Sequence, residues 1–194
     1  MRGIAVSLVA LAGCAENATT PANSVHGQVG GGRTITVTEA VWTVAPAEVG
    51  PGWSGQTAVV LMSSEPGLCD RVTANTVLPG EETVSISMVD LAQSAMVASA
   101  PSAPGDYLVP IESELAPKTA WLGTDSYDSQ CTHAGTGGAS SGTVTIETIG
   151  DTAFTGTFDV TIDIAGELTG TFAATSCPGL VNSLGGTLPA CTPM

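Results

Sequence analysis

The stretch TGTFDVTIDI at residues 155–164 decides the fold class, because apolar and polar side chains alternate along it. The apolar positions are Phe158, Val160, Ile162 and Ile164, and the polar positions between them are Thr157, Asp159, Thr161 and Asp163. A period of two places successive side chains on opposite faces of a β-strand. The stretch therefore predicts a strand with one face in a core and the other in water.

Its first four residues belong to an internal repeat with a period of 14 residues. The copies are Ser141-Gly142-Thr143-Val144, Thr155-Gly156-Thr157-Phe158 and Thr169-Gly170-Thr171-Phe172. Turn-forming residues in IGDTA (149–153) and IAGE (164–167) separate them, which predicts three consecutive strands of an antiparallel meander. Because neighbouring strands of a meander run in opposite directions, we expect the threonines not to align into the flat ranks of an ice-binding surface.

The preceding part of the chain carries further segments of strand type, each bounded by Pro, Gly or Asp. They are RTITVTEAVWTV (33–44), TAVVLMSS (57–64), ETVSISMVDL (82–91), SAMVASA (94–100), GDYLVP (105–110) and TAWLGTDSYD (119–128). The continuous apolar run at 57–64 predicts a strand buried on both faces. Only Pro66 to Asn75 predicts a helix. The pattern predicts an all-β fold, an antiparallel β-sandwich with a barrel as the alternative, one short helix and two disulfides.

The N-terminal stretch GIAVSLVALAGC (3–14) follows a single cation and is too short to span a bilayer, which needs about 20 apolar residues. A cation, a short apolar region and small residues at its end indicate a secretory signal peptide. The ending Leu11-Ala12-Gly13-Cys14 resembles the lipobox of bacterial lipoproteins. The resemblance implies cleavage before Cys14, acylation of Cys14 by chains such as palmitate, and contact with the membrane through this lipid anchor. Ala15 stands where an Asp would imply inner-membrane retention, so the resemblance favours the outer membrane.

These features divide the chain into a signal peptide at 1–13, lipidated Cys14 with a flexible tether at 14–32, and a single β-sandwich domain at 33–194. The tether sequence AENATTPANSVHGQVGGG (15–32) lacks a sustained apolar period. We expect the side chain of His26 to be solvated there. The expected location is the cell envelope.

Four motifs extend the resemblance across most of the domain. GLCD (67–70), SGTVTI (141–146), TGTFDVTID (155–163) and LTGTFAATSC (168–177) are similar to stretches of β-rich, cysteine-bearing lipoproteins of Gram-negative bacteria. Those proteins carry no assigned activity. The resemblance therefore implies a fold and no chemistry.

The charge balance excludes nucleic acid as a partner. Eighteen acidic side chains face four Lys and Arg, for a net charge of −14. Phosphate recognition requires a basic patch, and no such patch is present in the sequence.

After Cys14, four cysteines remain, and an even number in an exported chain indicates two disulfides. The Gly- and Pro-rich tail CPGLVNSLGGTLPAC (177–191) favours Cys177–Cys191, which leaves Cys69–Cys131. The other pairings are Cys69–Cys177 with Cys131–Cys191, and Cys69–Cys191 with Cys131–Cys177. No C-x-x-C spacing is present, so we expect no metal site and no cofactor.

Nucleophilic catalysis needs a base beside a hydroxyl or thiol, and His133 is the only histidine of the predicted domain. Asp125, Asp128 and Ser129 precede it, so a hydrolase triad is conceivable, although GWSGQ (52–56) does not match a nucleophile elbow. Asp125 and Asp128 also lack the full spacing of a calcium loop. The simpler interpretation is a surface-loop histidine near a disulfide.

Aromatic side chains in loops are candidate contacts for sugars, and Trp53 and Tyr127 lie in or near predicted loops. Trp42 and Trp121 are expected in the core. The sequence favours a non-enzymatic lipoprotein of the cell envelope, a structural or binding module whose partner is an envelope protein or polysaccharide. The alternatives are a secreted hydrolase that uses His133 and a carbohydrate-binding module.

Overall fold

The structure, a computed structural model, describes residues 22–29, 32–47, 52–110, 116–163, 165–185 and 188–192. The predicted signal peptide and Cys14 lie outside these residues. The strands are β1 (Ser24–Gly27), β2 (Glu39–Pro46), β3 (Ser54–Ser63), β4 (Thr76–Val77), β5 (Glu82–Ala92), β6 (Val97–Ser99), β7 (Gly105–Val109), β8 (Lys118–Tyr127), β9 (His133–Ile149), β10 (Ala153–Ile162), β11 (Gly166–Ser176) and β12 (Ala190–Cys191).

One α-helix, α1 (Leu68–Thr73), lies within the predicted helical segment, and short 3₁₀ segments occupy Gln93–Ala95 and Pro178–Asn182. Across the described ranges, no helix has the length and apolarity needed to cross a membrane.

The main sheet closes on itself. Antiparallel pairing links β2, β3, β5, β8, β9, β10 and β11 in that order, and the end of β11 then pairs parallel with β2 at Thr175–Val41 and Ser176–Trp42. The prediction of an all-β fold with one short helix and two disulfides is confirmed, and the closed circuit corresponds to the barrel-like alternative.

The repeat forms the predicted meander of β9, β10 and β11, and its glycines explain why the strands pair in this register. Gly156 lies opposite Phe172, and Phe158 lies opposite Gly170. A Cβ atom on Gly170 would lie 2.4 Å from Cζ of Phe158, so each ring occupies the space that the opposite glycine leaves. The motif Thr-Gly-Thr-Phe is therefore complementary to an antiparallel copy of itself.

Inward-facing side chains of every strand in the circuit fill the barrel. Trp42 stacks on Phe154 at 5.1 Å between ring centroids, and Phe154 lies 6.0 Å from Phe172. Trp42 is only partly buried but packs against this core, as expected. Aromatic packing of this kind contributes beyond the apolar area that it buries.

The outer face of β2 and β3 is covered by a second apolar layer. Val41 and Val59 pack outward against Leu68 and Val72 of α1 and against Leu180 of the C-terminal 3₁₀ segment. The run at 57–64 is therefore buried on both faces, as its continuous apolarity predicted.

The disulfides are Cys69–Cys177 and Cys131–Cys191, with Cα atoms 5.7 and 5.5 Å apart, so the favoured pairing was wrong. The tail does not close on itself, because β11 ends beside β2, against which α1 and the 3₁₀ segment pack. Cys177 therefore meets Cys69 of α1. The tail continues to β12, which pairs with β4 and brings Cys191 to the β8–β9 turn at Cys131.

A buried ion pair fixes α1 to the start of β5. Arg71 Nη2 lies 2.7 Å from Glu81 Oε1, and the Glu81 side chain is 2% exposed. Ser63 donates a hydrogen bond of 2.6 Å to the same oxygen, and the Leu78 amide donates one of 2.9 Å to Oε2. The carboxylate is thus paired and hydrogen-bonded, which a buried charge requires.

Three segments differ from the sequence prediction. The predicted tether contains β1, which pairs with β11, so the folded domain begins before residue 33. The strand predicted at 33–44 is displaced to Glu39–Pro46. The Gly- and Ala-rich segment after Cys131, predicted as a loop, forms the first half of β9, because β8 supplies its hydrogen-bonding partners in a hairpin.

Candidate functional site

An uncharged pocket of about 570 Å³ lies on the outer face of β2, β3, β5 and β8. It is lined by Ala45, Pro46, Ala47, Thr57, Val59, Ser87, Val89, Trp121, Val181, Leu184 and Gly185, and is called the Trp121 pocket below. Its size lies within the range of small-molecule sites, which are mostly apolar with a few polar groups. None of the described residues that line it is charged.

Small buried side chains form the floor of the Trp121 pocket, and larger exposed ones form its rim. Val59 and Val89 are buried, whereas Val181 and Leu184 are 39% and 44% exposed. The hydroxyl of Thr57 donates to the backbone oxygen of Met88 at 3.1 Å, so its donor is already engaged. The hydroxyl of Ser87 lines the pocket and forms no hydrogen bond with another residue in the described part of the chain.

Trp121 was expected in the core, but it lies on the outside of the barrel. Its neighbours Ala120 and Leu122 point inward and are buried, so the alternation of β8 directs the indole outward. Trp121 is partly buried against an outer cluster formed by Ala47, Val89, Leu91 and Ala98. The alternation itself was visible in the sequence, but the covering tail segment was not.

The structure separates the two predicted ligand contacts, Trp53 and Tyr127. Trp53 packs against the outer cluster that also holds Trp121, near the end of β5. Tyr127 lies beside Glu81, at the start of that strand. An 11-residue strand separates the two ends, so the two rings do not form one binding platform.

Tyr127 belongs to a different cluster, which contains the predicted catalytic histidine. His133 Nε2 lies 2.8 Å from Asp125 Oδ1, and the imidazole stands edge-on to Tyr127 with ring centroids 5.7 Å apart. Burial raises the pKa of Tyr127, and the carboxylates of Asp125 and Glu81 raise it further. The phenol therefore remains neutral at physiological pH.

The histidine cluster holds two of the three groups of a hydrolase triad. No hydroxyl of the described residues forms a hydrogen bond with His133, whose side chain is 47% exposed. Asp128 accepts hydrogen bonds from the backbone amides of Gln130 and Thr132, and so stabilises the turn between β8 and β9. Within the described ranges, no group of three metal-ligating side chains is present.

A second concave surface lies on the outer face of β1, β11, β10, β9 and β7. It is lined by Ser24, His26, Thr143, Thr145, Thr157, Phe158, Asp159, Thr169, Gly170 and Thr171, and Asp106 of β7 continues one of its rows; these residues together are called the hydroxyl face below. In register across five strands, the first row is Ser24, Thr171, Thr157, Thr145 and Asp106. The second row begins His26, Thr169, Asp159 and Thr143.

The expectation that the threonines do not align was therefore wrong for these two rows. The strands do run in opposite directions, but the Thr-x-Thr pairs of β9 and β11 lie opposite the same residues of β10. Thr157 thus stands between Thr145 and Thr171. In the second row, Asp159 takes the central place between Thr143 and Thr169, so the array is not purely threonine.

Comparisons of the chain with protein-family models, with curated proteins and with solved protein structures found no match.

Proposed function

We propose that the chain is a non-enzymatic binding module of the bacterial cell envelope, held at the outer membrane by lipid on Cys14. The sequence Leu11-Ala12-Gly13-Cys14 supports the anchor, since two or more acyl chains give stable membrane attachment. Two disulfides in the domain support export to an oxidising compartment.

The anchor is tested by changing Cys14→Ala and comparing membrane fractions and intact mass with those of the unchanged chain. We expect the unchanged chain to sediment with membranes, with a mass equal to residues 14–194 plus acyl chains. The variant should be soluble or retain its first 13 residues. Ala15→Ser is the matched control and should remain lipidated; identical mass and fractionation for Cys14→Ala and the unchanged chain would refute the anchor.

The Trp121 pocket is the observation that carries the binding function. Its floor is apolar, its lining is uncharged and one wall is an indole, so it suits an uncharged ligand with a large apolar face. The ligand contacts are Trp121 and the side chains of Val59 and Val89 beneath it. The hydroxyl of Ser87 supplies one polar contact.

The pocket is tested with the neutral fluorescent probe N-phenyl-1-naphthylamine, added to chain carrying Cys14→Ala and purified without detergent. Ser87→Phe places a ring in the pocket and should weaken probe binding at least about tenfold, because it takes the volume that the probe requires. Val44→Phe adds the same ring at an exposed site of β2 and should leave the affinity unchanged. Equal binding by both variants, or no binding to the parent, would remove the pocket from the proposal.

The contact between Asp125 and His133 favours one second candidate function, hydrolysis with His133 as general base. A carboxylate on one imidazole nitrogen orients the ring and stabilises its protonated form, as in hydrolase triads. Turnover of p-nitrophenyl butyrate that is lost in His133→Gln and kept in His26→Gln would replace the non-enzymatic assignment. Rates equal to the uncatalysed rate for all three proteins would eliminate hydrolysis of this ester.

A further inference from the structure

We propose that the hydroxyl face is a binding surface for a neutral polysaccharide, separate from the Trp121 pocket. The two surfaces lie on the outer faces of different halves of the barrel and share no residue. Failure of one proposal therefore leaves the other intact.

The hydroxyl face carries hydrogen-bonding groups that are available to a ligand. At the ends of the first row, Ser24 and Thr171 contact each other at 3.0 Å, and Thr145 donates to Asp106 at 2.7 Å. The central hydroxyls of Thr143, Thr157 and Thr169 have no hydrogen-bond partner among the described residues. Each can donate one hydrogen bond and accept two, which matches the donors and acceptors of sugar hydroxyls.

The shape of the hydroxyl face suits an extended polymer. The part of the hydroxyl face on β1, β9, β10 and β11 forms a shallow, open depression of about 390 Å³. A row across five strands spans about 19 Å at the usual strand separation, which is longer than one sugar ring. Threonine also presents a methyl group beside its hydroxyl, and a sugar ring presents C–H groups beside its hydroxyls. An extended chain of sugars therefore finds both polar and apolar contacts along the rows.

The charge of the hydroxyl face selects among polymers. The face carries the carboxylates of Asp106 and Asp159, and the chain as a whole has a net charge of −14. An anionic polymer would be repelled. A neutral polysaccharide escapes this repulsion, and Asp159, exposed at the centre of the second row, can accept hydrogen bonds from its hydroxyls.

The same two features argue against an ice lattice as the occupant. A planar lattice does not follow a concave surface, and the exposed carboxylate of Asp159 interrupts the second row of threonines. Ice binding is therefore the competing outcome of the experiment.

The test is affinity electrophoresis of the full chain in gels that contain dextran, yeast mannan, xyloglucan or a linear β-1,3-glucan. We expect at least one of these polymers to retard the chain. Thr157→Val removes the central hydroxyl of the first row and should weaken that retardation at least about fivefold. Thr157→Ser keeps the hydroxyl and should be retarded as strongly as the unchanged chain. This variant therefore distinguishes a lost contact with the polymer from a lost fold.

Thr161→Val is the matched control, because Thr161 lies on the same strand and the same side but outside the hydroxyl face. It should leave the retardation unchanged. The proposal is overturned if no polymer retards the chain, or if Thr157→Val and Thr161→Val behave alike. It is also overturned if the chain shows no retardation but produces thermal hysteresis in freezing solutions, which would identify the face as ice-binding.

Discussion

The two halves of the barrel have similar interiors and opposite exteriors. On β2, β3 and β5 the outward side chains include Val41, Val59 and Val89, and α1 with the C-terminal 3₁₀ segment covers much of this surface. On β9, β10 and β11 the outward side chains are mostly Thr and Asp, and no helix covers them within the described ranges. The first set is called the covered half and the second the bare half.

The difference shows how a strand's sequence pattern specifies its surroundings. A strand with apolar residues on both faces needs a second layer, whereas an alternating strand needs only the core. The covered half therefore depends on distant parts of the chain, the helix and the tail, and a disulfide joins these two parts. The bare half depends on the shared core and on pairing between neighbouring strands.

The largest effect that tests this comparison is the loss of Cys69–Cys177. This disulfide closes a separation of 108 residues, for which the chain-entropy relation gives about 5 kcal/mol. The double variant Cys69→Ala with Cys177→Ala should lose most of that stability in urea unfolding. It should also bind more of a hydrophobic dye before unfolding, because α1 and the 3₁₀ segment loosen from the covered half.

The control is the double variant Cys131→Ala with Cys191→Ala, which opens a separation of 60 residues. It should lose about 4 kcal/mol by the same relation but gain little dye binding, since β12 covers little of the apolar layer. Equal dye binding by the two double variants would contradict the assignment of the covering layer to the Cys69–Cys177 pair.

A smaller effect is expected from the buried ion pair of the covered half. Glu81→Ala leaves the Arg71 guanidinium, 10% exposed, without its carboxylate and should reduce the free energy of unfolding by about 3 kcal/mol. On the bare half, Glu167→Ala removes an exposed carboxylate and should change the free energy of unfolding by less than about 0.5 kcal/mol. Urea midpoints of the two variants measure the contrast, and comparable losses would show that Glu81 is not held as described.

The bare half depends instead on its cross-strand glycines. A Cβ atom on Gly156 would lie 2.2 Å from the carbonyl oxygen of Thr145 and 2.6 Å from Cζ of Phe172. Gly156→Ala should therefore cost about 2 kcal/mol, since the backbone of β9 or the ring must move. Gly138→Ala is the control, because a Cβ atom there has no neighbour within 4 Å. The thermal unfolding midpoints of the two variants test this difference. Equal midpoints would mean that the meander tolerates a different register.

Local patterns allowed the meander to be predicted, because alternation along 155–164 and the 14-residue repeat report on neighbouring strands. The first half of β9 could not be predicted, since Gly, Ala and Ser there show no apolar period and only the hairpin with β8 makes them a strand. The disulfide pairing also failed, because it depends on where the end of β11 meets β2.

The candidate sites also combine features that local sequence patterns predict with features that only the fold brings together. The outward direction of Trp121 follows from the alternation of β8, but the Trp121 pocket also requires the tail residues Val181 and Leu184. The hydroxyl face requires the register of five strands, including β1 from the predicted tether. Proximity of His133 to Asp125 follows from their shared hairpin, whereas a sequence does not show which hydroxyls lie near an imidazole.

The smallest expected effect concerns Glu82, a carboxylate at the start of β5 in the covered half. Burial raises the pKa of Glu82 above its ordinary value, although Arg33, 3.7 Å away, lowers it in part. The folded chain therefore holds this proton more tightly than the unfolded chain, and stability falls as pH rises through the folded pKa. Glu82→Gln removes this penalty and should raise the free energy of unfolding at pH 7 by less than about 1 kcal/mol. Urea midpoints of the two proteins should converge near pH 3, and a lower midpoint for Glu82→Gln at pH 7 would show that the Arg33 ion pair outweighs burial.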